Sequence, residues 1–370
     1  MRRNSASYYI VFFSIIVFLS GLVIFPRDVS ESVRNALTLC SASVIPSLFP
    51  FFVASRLITN LRYSDMLGKK FNGVMRPVFS LDGTMSPALL LGLIGGYPVG
   101  AMTCATLYKE RLCSRNDAER ALAFCNNCGP AFIIGAVGNG VFASSKTGIE
   151  LYIIHVLGAL TTGFLLRILS PVKLSQSKAV LNSNPKIPSF SFSFTDSVVS
   201  AMKSSLVISA YIVLFSVLVK ILQLLSVFSA IGRLMFLLTG IDESTVSAIL
   251  TGLLEITVGS YSVSECVSFN AAFVIISFFL GLGGLSVHCQ TLSAISDSGL
   301  SARQHFIGKA IHGCISALYA FCATNVFSFN AIPVFSEAHS YYFSPAPVFR
   351  FIFITLLIYI FCKKGWKKVK

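Results

Sequence analysis

The chain has 370 residues, of which 54% are hydrophobic and only 12% are charged, and its mean hydropathy is +0.77. A soluble domain carries about 25% charged residues, so this composition excludes the soluble globular, disordered and coiled-coil classes. The net charge of +14 is interpreted as cytoplasmic loop charge under the positive-inside rule, and no nucleic-acid partner is expected.

The apolar runs predict an all-α polytopic membrane protein with about eight transmembrane helices, because each run is long enough to cross a bilayer. A β-barrel is excluded, since its strands would be short and would alternate in hydropathy. The first run, at 8–25, follows Arg2 and Arg3 and is interpreted as a retained span within an N-terminal segment, 1–30. The further predicted spans are 35–59, 117–144, 147–169, 205–228, 267–296, 303–328 and 346–362.

Two more apolar stretches, 86–108 and 243–265, carry Gly, Pro or an acid at their midpoints. We interpret them as re-entrant helical hairpins that enter and leave the membrane on the same side. Irregular backbone at that depth is tolerated only where protein or a polar cavity covers it. With these hairpins, most Lys and Arg fall in cytoplasmic segments, and both termini are expected in the cytoplasm.

The spans divide the chain into two similar halves. The first repeat, 31–170, contains the hairpin 86–108 and a broken helix, 117–144. A Ser- and Pro-rich cytoplasmic linker, 171–195, joins it to the second repeat, 196–328, which contains the hairpin 243–265 and the broken helix 267–296. A C-terminal helix and a basic tail, 329–370, complete the chain. Because the two hairpins enter from opposite sides, the halves are predicted to be inverted repeats, as in many secondary transporters.

A rival alignment pairs Gly95 and Gly96 with Gly283 and Gly284 at a constant offset. It makes 267–296 the second hairpin and weakens the charge asymmetry between the two sides of the membrane. The first alignment is preferred for that reason, and the rival stays open.

Polar residues inside membrane segments are the candidate binding residues, since burying them in a bilayer is costly. Asn126 and Asn127 are the strongest candidates, because they precede a Gly-Pro pair where a new helix begins and offers free N–H groups. The first hairpin tip, Gly95, Gly96 and Tyr97, offers exposed backbone and an aromatic ring. For each, a purely structural role is the alternative.

The second half supplies the remaining candidates. Glu255 is the acid at the middle of the second hairpin, and it is expected to bind a cation, a proton or a solute N–H group. Ser286 is expected to cap the helix that restarts after the second break, followed by His288 and Gln290. His155, His312 and Lys220 rank lower.

No catalytic constellation occurs, so the chain is not expected to be an enzyme, and no cofactor or metal is expected. Cys125 and Cys128 have C-x-x-C spacing but no partner pair with zinc spacing. Proton or sodium coupling stays open.

Three motifs resemble a known family, namely Pro46–Phe52 (PSLFPFF), Gly95–Gly100 (GGYPVG) and Asn126–Phe132 (NNCGPAF), and Gly252–Glu255 (GLLE) fits as well. The chain resembles the sporulation integral membrane protein YlbJ group, within the nucleoside recognition (Gate) superfamily, over about 8–362. The resemblance implies a fold similar to concentrative nucleoside transporters. It also implies a role in spore formation, where dipicolinic acid passes from mother cell to forespore.

The expected function is therefore transport of a small polar aromatic solute, dipicolinate by resemblance, in a bacterial cell or forespore membrane. A nucleoside or related permease is one alternative, and a non-transporting membrane scaffold is another. The expected partners are the solute and the lipid bilayer, and a homo-oligomer stays open.

Overall fold

A computed structural model describes residues 5–61, 63–169 and 189–326, and within these ranges the regular structure is helical, without strands. Short 3₁₀ and π-helical segments interrupt the α-helices. The α-helices of the described ranges are α1 (Ser5–Ile24), α2 (Pro26–Leu39), α3 (Ile45–Asn60), α4 (Tyr63–Phe79), α5 (Ser86–Gly95), α6 (Val99–Lys109), α7 (Arg115–Cys125), α8 (Ser145–Leu169), α9 (Phe190–Leu224), α10 (Val227–Thr239), α11 (Glu243–Leu254), α12 (Ile256–Cys266), α13 (Phe269–Leu282), α14 (Leu285–Ile295) and α15 (Arg303–Val326).

Four stretches of the described chain are long and apolar enough to cross a membrane, namely Ser145–Leu169, Phe190–Leu224, Phe269–Ser298 and Arg303–Asn325. Three bent helix pairs raise the number to seven if each pair counts as one span: Val11–Ile24 with Pro26–Ala42, Lys70–Phe79 with Gly83–Gly95, and Val227–Thr239 with Glu243–Leu254. The all-helical membrane class is thus confirmed. The number of eight spans stays a prediction, and the span predicted at 346–362 lies outside the described residues.

The outer surface carries large apolar side chains. Val23 and Leu237 are each 80% exposed, and Leu238 and Phe190 are exposed by 67% and 64%. Soluble monomers rarely present such side chains in contiguous patches. In a bilayer they face lipid tails, so their exposure is favourable there.

The first predicted hairpin is formed by α5 and α6. Pro87 lies in the first turn of α5, where its missing N–H is harmless. The chain turns at Gly96, whose φ of +74° favours glycine, and the Tyr97–Pro98 peptide bond is cis. Gly92 and Gly100 lie against each other, since a Cβ built on Gly92 would be 3.1 Å from the Cα of Gly100. The two helices therefore lie side by side.

The second predicted hairpin is formed by α11 and α12, which also pack against each other through facing glycines. Asp242 caps α11 by accepting a hydrogen bond from the backbone N–H of Thr245 at 2.9 Å. Glu255 lies between the helices with an extended backbone. Gly252 and Gly259 touch across the hairpin, so closely that a Cβ on Gly259 would overlap the backbone of Gly252.

Each hairpin is followed by an interrupted helix. After α7, residues 126–130 are not continuous with that helix, and the chain resumes as a π-helix, Ala131–Val141, directly after Pro130. The second interruption is shorter: α13 is followed by Gly283, with φ of +72°, and α14 begins at Leu285. By length and composition, Phe269–Ser298 is one candidate span, and the choice between the two repeat alignments stays a prediction. The inverted relation of the halves remains a prediction.

Two boundaries differ from the sequence prediction. The first helix ends at Ile24 because Pro26 starts α2, and the two helices meet at 98°, so the predicted boundary at residue 30 falls inside α2. The predicted linker ends at residue 189 and not at 195, because the Ser189 side chain caps α9 by accepting from the N–H of Phe192. Residues 171–188 of that linker, and the C-terminal segment from 327, lie outside the described residues.

Candidate functional site

A cavity of about 40 Å³ lies where the two hairpin tips meet the two helix interruptions. Five of the nine predicted site residues line it, namely Gly96, Tyr97, Glu255, Ser286 and Gln290. The first interruption contributes Cys128 and Gly129, and α3, α9 and the segments around them contribute apolar side chains. The structure thus brings together residues from both halves of the chain.

Tyr97 links the first hairpin to the second interruption. Its ring is buried, and its hydroxyl donates to the carbonyl oxygen of Leu280 at 3.2 Å. A Cβ on Gly283 would lie 3.4 Å from the same hydroxyl oxygen. The Tyr97 side chain therefore forms the wall of the cavity where the two halves of the chain touch.

Glu255 holds the second hairpin together while it lines the cavity. Its Oε2 accepts from the backbone N–H of Val258 at 2.7 Å, and its Oε1 accepts from the hydroxyl of Thr257 at 3.0 Å. The carboxylate thereby caps the N-terminus of α12, where negative charge is favoured. This geometry gives Glu255 a structural role, and it leaves the carboxylate at the cavity surface.

Ser286 does not cap α14, so that part of the prediction is wrong. Gly284 occupies the capping position, and its carbonyl accepts from the N–H groups of Val287 and His288. Ser286 lies inside the first turn, and its buried hydroxyl has no hydrogen-bond partner in the described part of the chain. A buried polar group without a partner is rare and costs about 1–3 kcal/mol. This hydroxyl is therefore available to a ligand in the cavity.

Asn126 and Asn127 are fully buried but do not line the cavity. Asn126 donates to the hydroxyl of Thr291 at 2.8 Å and accepts from the N–H of Ala101 at 3.3 Å. It therefore joins the first hairpin to α14, as the interhelical alternative anticipated. Asn127 donates to the carbonyl of Phe124 at 2.7 Å, and its Oδ1 has no partner among the described residues.

Gly95 and His288 also lie outside the cavity lining. The Nδ1 of His288 lies 3.1 Å from the Nε2 of His305, which is a hydrogen bond between two imidazoles. The Nδ1 of His305 lies 3.3 Å from the carbonyl oxygen of Leu122. A carbonyl only accepts, so that nitrogen carries the proton of His305.

Sequence reasoning ranked His312 low and missed His305 and Lys309, so the polar face that the three residues form on α15 was not recognised. His305, Lys309 and His312 follow the i, i+4, i+7 spacing of a helix face and have no exposed surface. Lys309 donates to the carbonyl of Asn126 at 3.3 Å and to His312 Nδ1 at 3.2 Å. Its Nζ lies 5.1 Å from the centre of the Tyr97 ring. Their helical spacing in the sequence could have indicated a polar helix face. The mean hydropathy of the segment does not show this face, because the apolar residues around it dominate the average.

His155 and His312 complete this cluster behind the cavity. The backbone N–H of Cys128 donates to His155 Nε2 at 3.1 Å, and His312 Nε2 lies 2.9 Å from the carbonyl oxygen of His155. The cluster therefore satisfies backbone groups that the first interruption exposes. Across the described ranges, no group of three or more His, Cys, Asp and Glu side chains is arranged to hold a metal ion.

Comparison with known proteins assigns this chain to a protein family. Residues 41–168, which include the first hairpin and the first interruption, match the family model Gate, described as nucleoside recognition. The chain is similar to the sporulation integral membrane protein YlbJ of Bacillus subtilis (strain 168), with 31% identity in an alignment of 327 residues that covers 83% of this chain and 80% of the relative. No solved structure matches. The chain therefore carries a nucleoside-recognition Gate domain and belongs to the YlbJ family of sporulation integral membrane proteins.

Proposed function

We propose that this protein transports a small polar aromatic solute across a membrane, through the cavity between the two hairpin tips. The observation that carries the proposal is the buried hydroxyl of Ser286, a residue that lines the cavity and whose hydroxyl has no partner in the described part of the chain. The position of this hydroxyl in a cavity wall favours a binding role over a membrane scaffold, because a ligand there would supply the missing partner. No chemical reaction is assigned to the site.

The helix starts around the cavity favour an anionic group on the solute. Gly129 and Phe132 mark the start of the π-helix, and Ser286 and Gln290 lie on the first turns of α14. Free N–H groups and the positive end of the helix dipole attract anions at such positions. The third helix start, that of α12, is already occupied by the Glu255 carboxylate.

Dipicolinate, an aromatic dicarboxylate, is the first candidate solute because its carboxylates suit these helix starts, and the name of the relative places that protein in sporulation. The forespore membrane is the corresponding proposed location, with both termini in the cytoplasm. A nucleoside is the second candidate, because the matching family model is described as nucleoside recognition. Neither choice requires a homo-oligomer.

The cavity is smaller than either solute needs. An apolar cavity of about 150 Å³ accommodates benzene, whereas this cavity measures about 40 Å³. We therefore infer that the described conformation is closed and that the hairpin tips separate to admit solute. Alternating access by movement of one repeat against the other is the transport mode typical of such architectures.

The test is uptake of labelled dipicolinate into vesicles that contain the purified full-length protein, with nucleosides as competitors. We expect saturable uptake that Ser286→Ala and Gln290→Ala weaken, whereas Thr162→Val, which changes a hydroxyl bonded within its own helix, leaves it unchanged. Inhibition of this uptake by nucleosides would favour the second candidate. Absence of saturable uptake of both solute classes would contradict transport and favour the scaffold.

A further inference from the structure

Lys309 is a basic side chain enclosed on every side. It lies in the second turn of α15 and has no exposed surface, so it does not reach lipid headgroups or bulk water as other membrane lysines do. Its three neighbours in hydrogen-bond or ring contact are the Asn126 carbonyl, His312 Nδ1 and the face of the Tyr97 ring. In the described part of the chain, no carboxylate oxygen lies within 4.0 Å of its Nζ.

The surroundings of Lys309 stabilise an ammonium only in part. A carbonyl, a neutral imidazole and an aromatic face each attract a cation, but none carries a full negative charge. A buried charge without a counter-ion is strongly unfavourable and is relieved by neutralisation. The titratable side chains that face this lysine in the described ranges come from five elements, namely Tyr97, Cys128, His155, His288, His305 and His312.

We propose that Lys309 is the proton-binding residue of the transport cycle, and that its protonation state controls its contact with the Tyr97 ring in the cavity wall. This inference rests on the proposed function and names its coupling ion. In the closed conformation, enclosure without a counter-ion favours the neutral amine. When the cavity opens and water reaches Lys309, a hydronium ion gives its proton to the amine, an N–H bond forms, and the ammonium attracts the ring face. When the cavity closes again, that N–H bond breaks and the proton returns to water.

The geometry favours the lysine over the other titratable groups. The two nitrogens of His312 are both engaged, one with Lys309 and one with the carbonyl of His155. Glu255 is fixed by its role as the cap of α12. Lys309 alone among the described basic side chains contacts a ring that lines the cavity.

The first experiment reads proton binding without any solute. The chain contains one tryptophan, Trp366, so Tyr97→Trp in a Trp366→Phe background places a fluorophore over Lys309. We expect its fluorescence to change sigmoidally with pH in the full-length protein. Lys309→Gln should abolish the change, and Lys309→Arg, which stays charged, should fix the signal at its acidic limit.

Lys220→Gln is the matched control, because Lys220 also lies in a long span but is 36% exposed and pairs with Asp28 at 3.5 Å. This variant should leave the titration intact. An unchanged titration in Lys309→Gln would overturn the proposal, since the proton would then be bound by a histidine. Elution of the variants as native-sized particles excludes misfolding, and Lys309→Arg serves as the second variant if Lys309→Gln fails to fold.

The second experiment adds transport. An imposed pH gradient should accelerate solute uptake several-fold in the unaltered protein and have no effect in Lys309→Gln. Acceleration by a sodium gradient alone would overturn the proposal. A pH-dependent fluorescence change in the Tyr97→Trp variant, together with no solute flux in the unaltered protein, would retain the proton site and refute the proposed function, so the two failures are distinguishable.

Discussion

At the residue scale, Glu255 combines a structural contact with a place in the cavity wall. Its two carboxylate oxygens accept from Val258 and Thr257, so the side chain closes the second hairpin. The same position exposes it to a solute. The capping contact and the negative charge can be separated, because glutamine preserves an acceptor oxygen and alanine removes it.

We expect Glu255→Ala to lower the free energy of unfolding by about 1 kcal/mol, the usual effect of losing a helix cap. Glu255→Gln should lower it less, since one oxygen can still accept from Val258. Thermal unfolding in detergent measures both. Glu265→Ala, a change of an exposed acid on the same helix, is the control, and an equal loss in that variant would contradict the capping role.

Asn126 and Thr291 form a second residue-scale test. Their 2.8 Å hydrogen bond joins the first interruption to α14, so Asn126→Ala and Thr291→Val should not be additive. We expect a coupling free energy of about 1 kcal/mol in a double-mutant cycle followed by thermal unfolding. Asn126→Ala with Thr162→Val should be additive, because Thr162 bonds within its own helix. Additivity in both cycles would show that the contact is not formed.

At the element scale, close glycine contacts hold each hairpin and interruption together. A Cβ on Gly92 would overlap the carbonyl oxygen of Cys125, and a Cβ on Gly308 of α15 would overlap that of Ala123. The first hairpin and α15 therefore both pack directly against the backbone of α7. Small residues permit such approaches between membrane helices.

We expect Gly92→Ala to destabilise the protein by about 1–3 kcal/mol, the usual range for overpacking. A drop in the apparent melting temperature in detergent would report it. Gly73→Ala in α4 is the matched control, because nothing lies within 4 Å of its added Cβ. Equal melting temperatures for Gly92→Ala and the unaltered protein would contradict the packing described here.

The elements themselves follow closely from the sequence. Hairpins predicted at 86–108 and 243–265 coincide with α5–α6 and α11–α12. Gly96 and Pro98 form the turn of the first hairpin, and Glu255 separates the two helices of the second. The site was predicted less well. Which side chains at a break face the cavity depends on how helices rotate, so Asn126 and Asn127 were expected in its lining but lie behind it. Lys309 was missed because the apolar residues around it make its helix look like an ordinary span.

At the scale of the whole molecule, family membership and the exposed apolar surface agree on an integral membrane protein. The orientation in the membrane is a prediction from the distribution of Lys and Arg. A fluorescent protein that folds only in the cytoplasm should fluoresce when fused to either terminus. A dark fusion at the N-terminus, with normal abundance in the membrane, would reverse the topology and with it the direction in which each hairpin enters.

The central claim is that solute occupies the cavity between the hairpin tips, and Cys128 provides a native reporter because it lines that cavity. The measurement is the rate at which a small thiol reagent modifies Cys128, followed by mass spectrometry of the unaltered protein with and without dipicolinate. The exposed thiol of Cys322 serves as the internal control. The account predicts that solute slows modification of Cys128 and leaves that of Cys322 unchanged. Equal rates at Cys128 with and without a transported solute, or no reaction there under any condition, would contradict it.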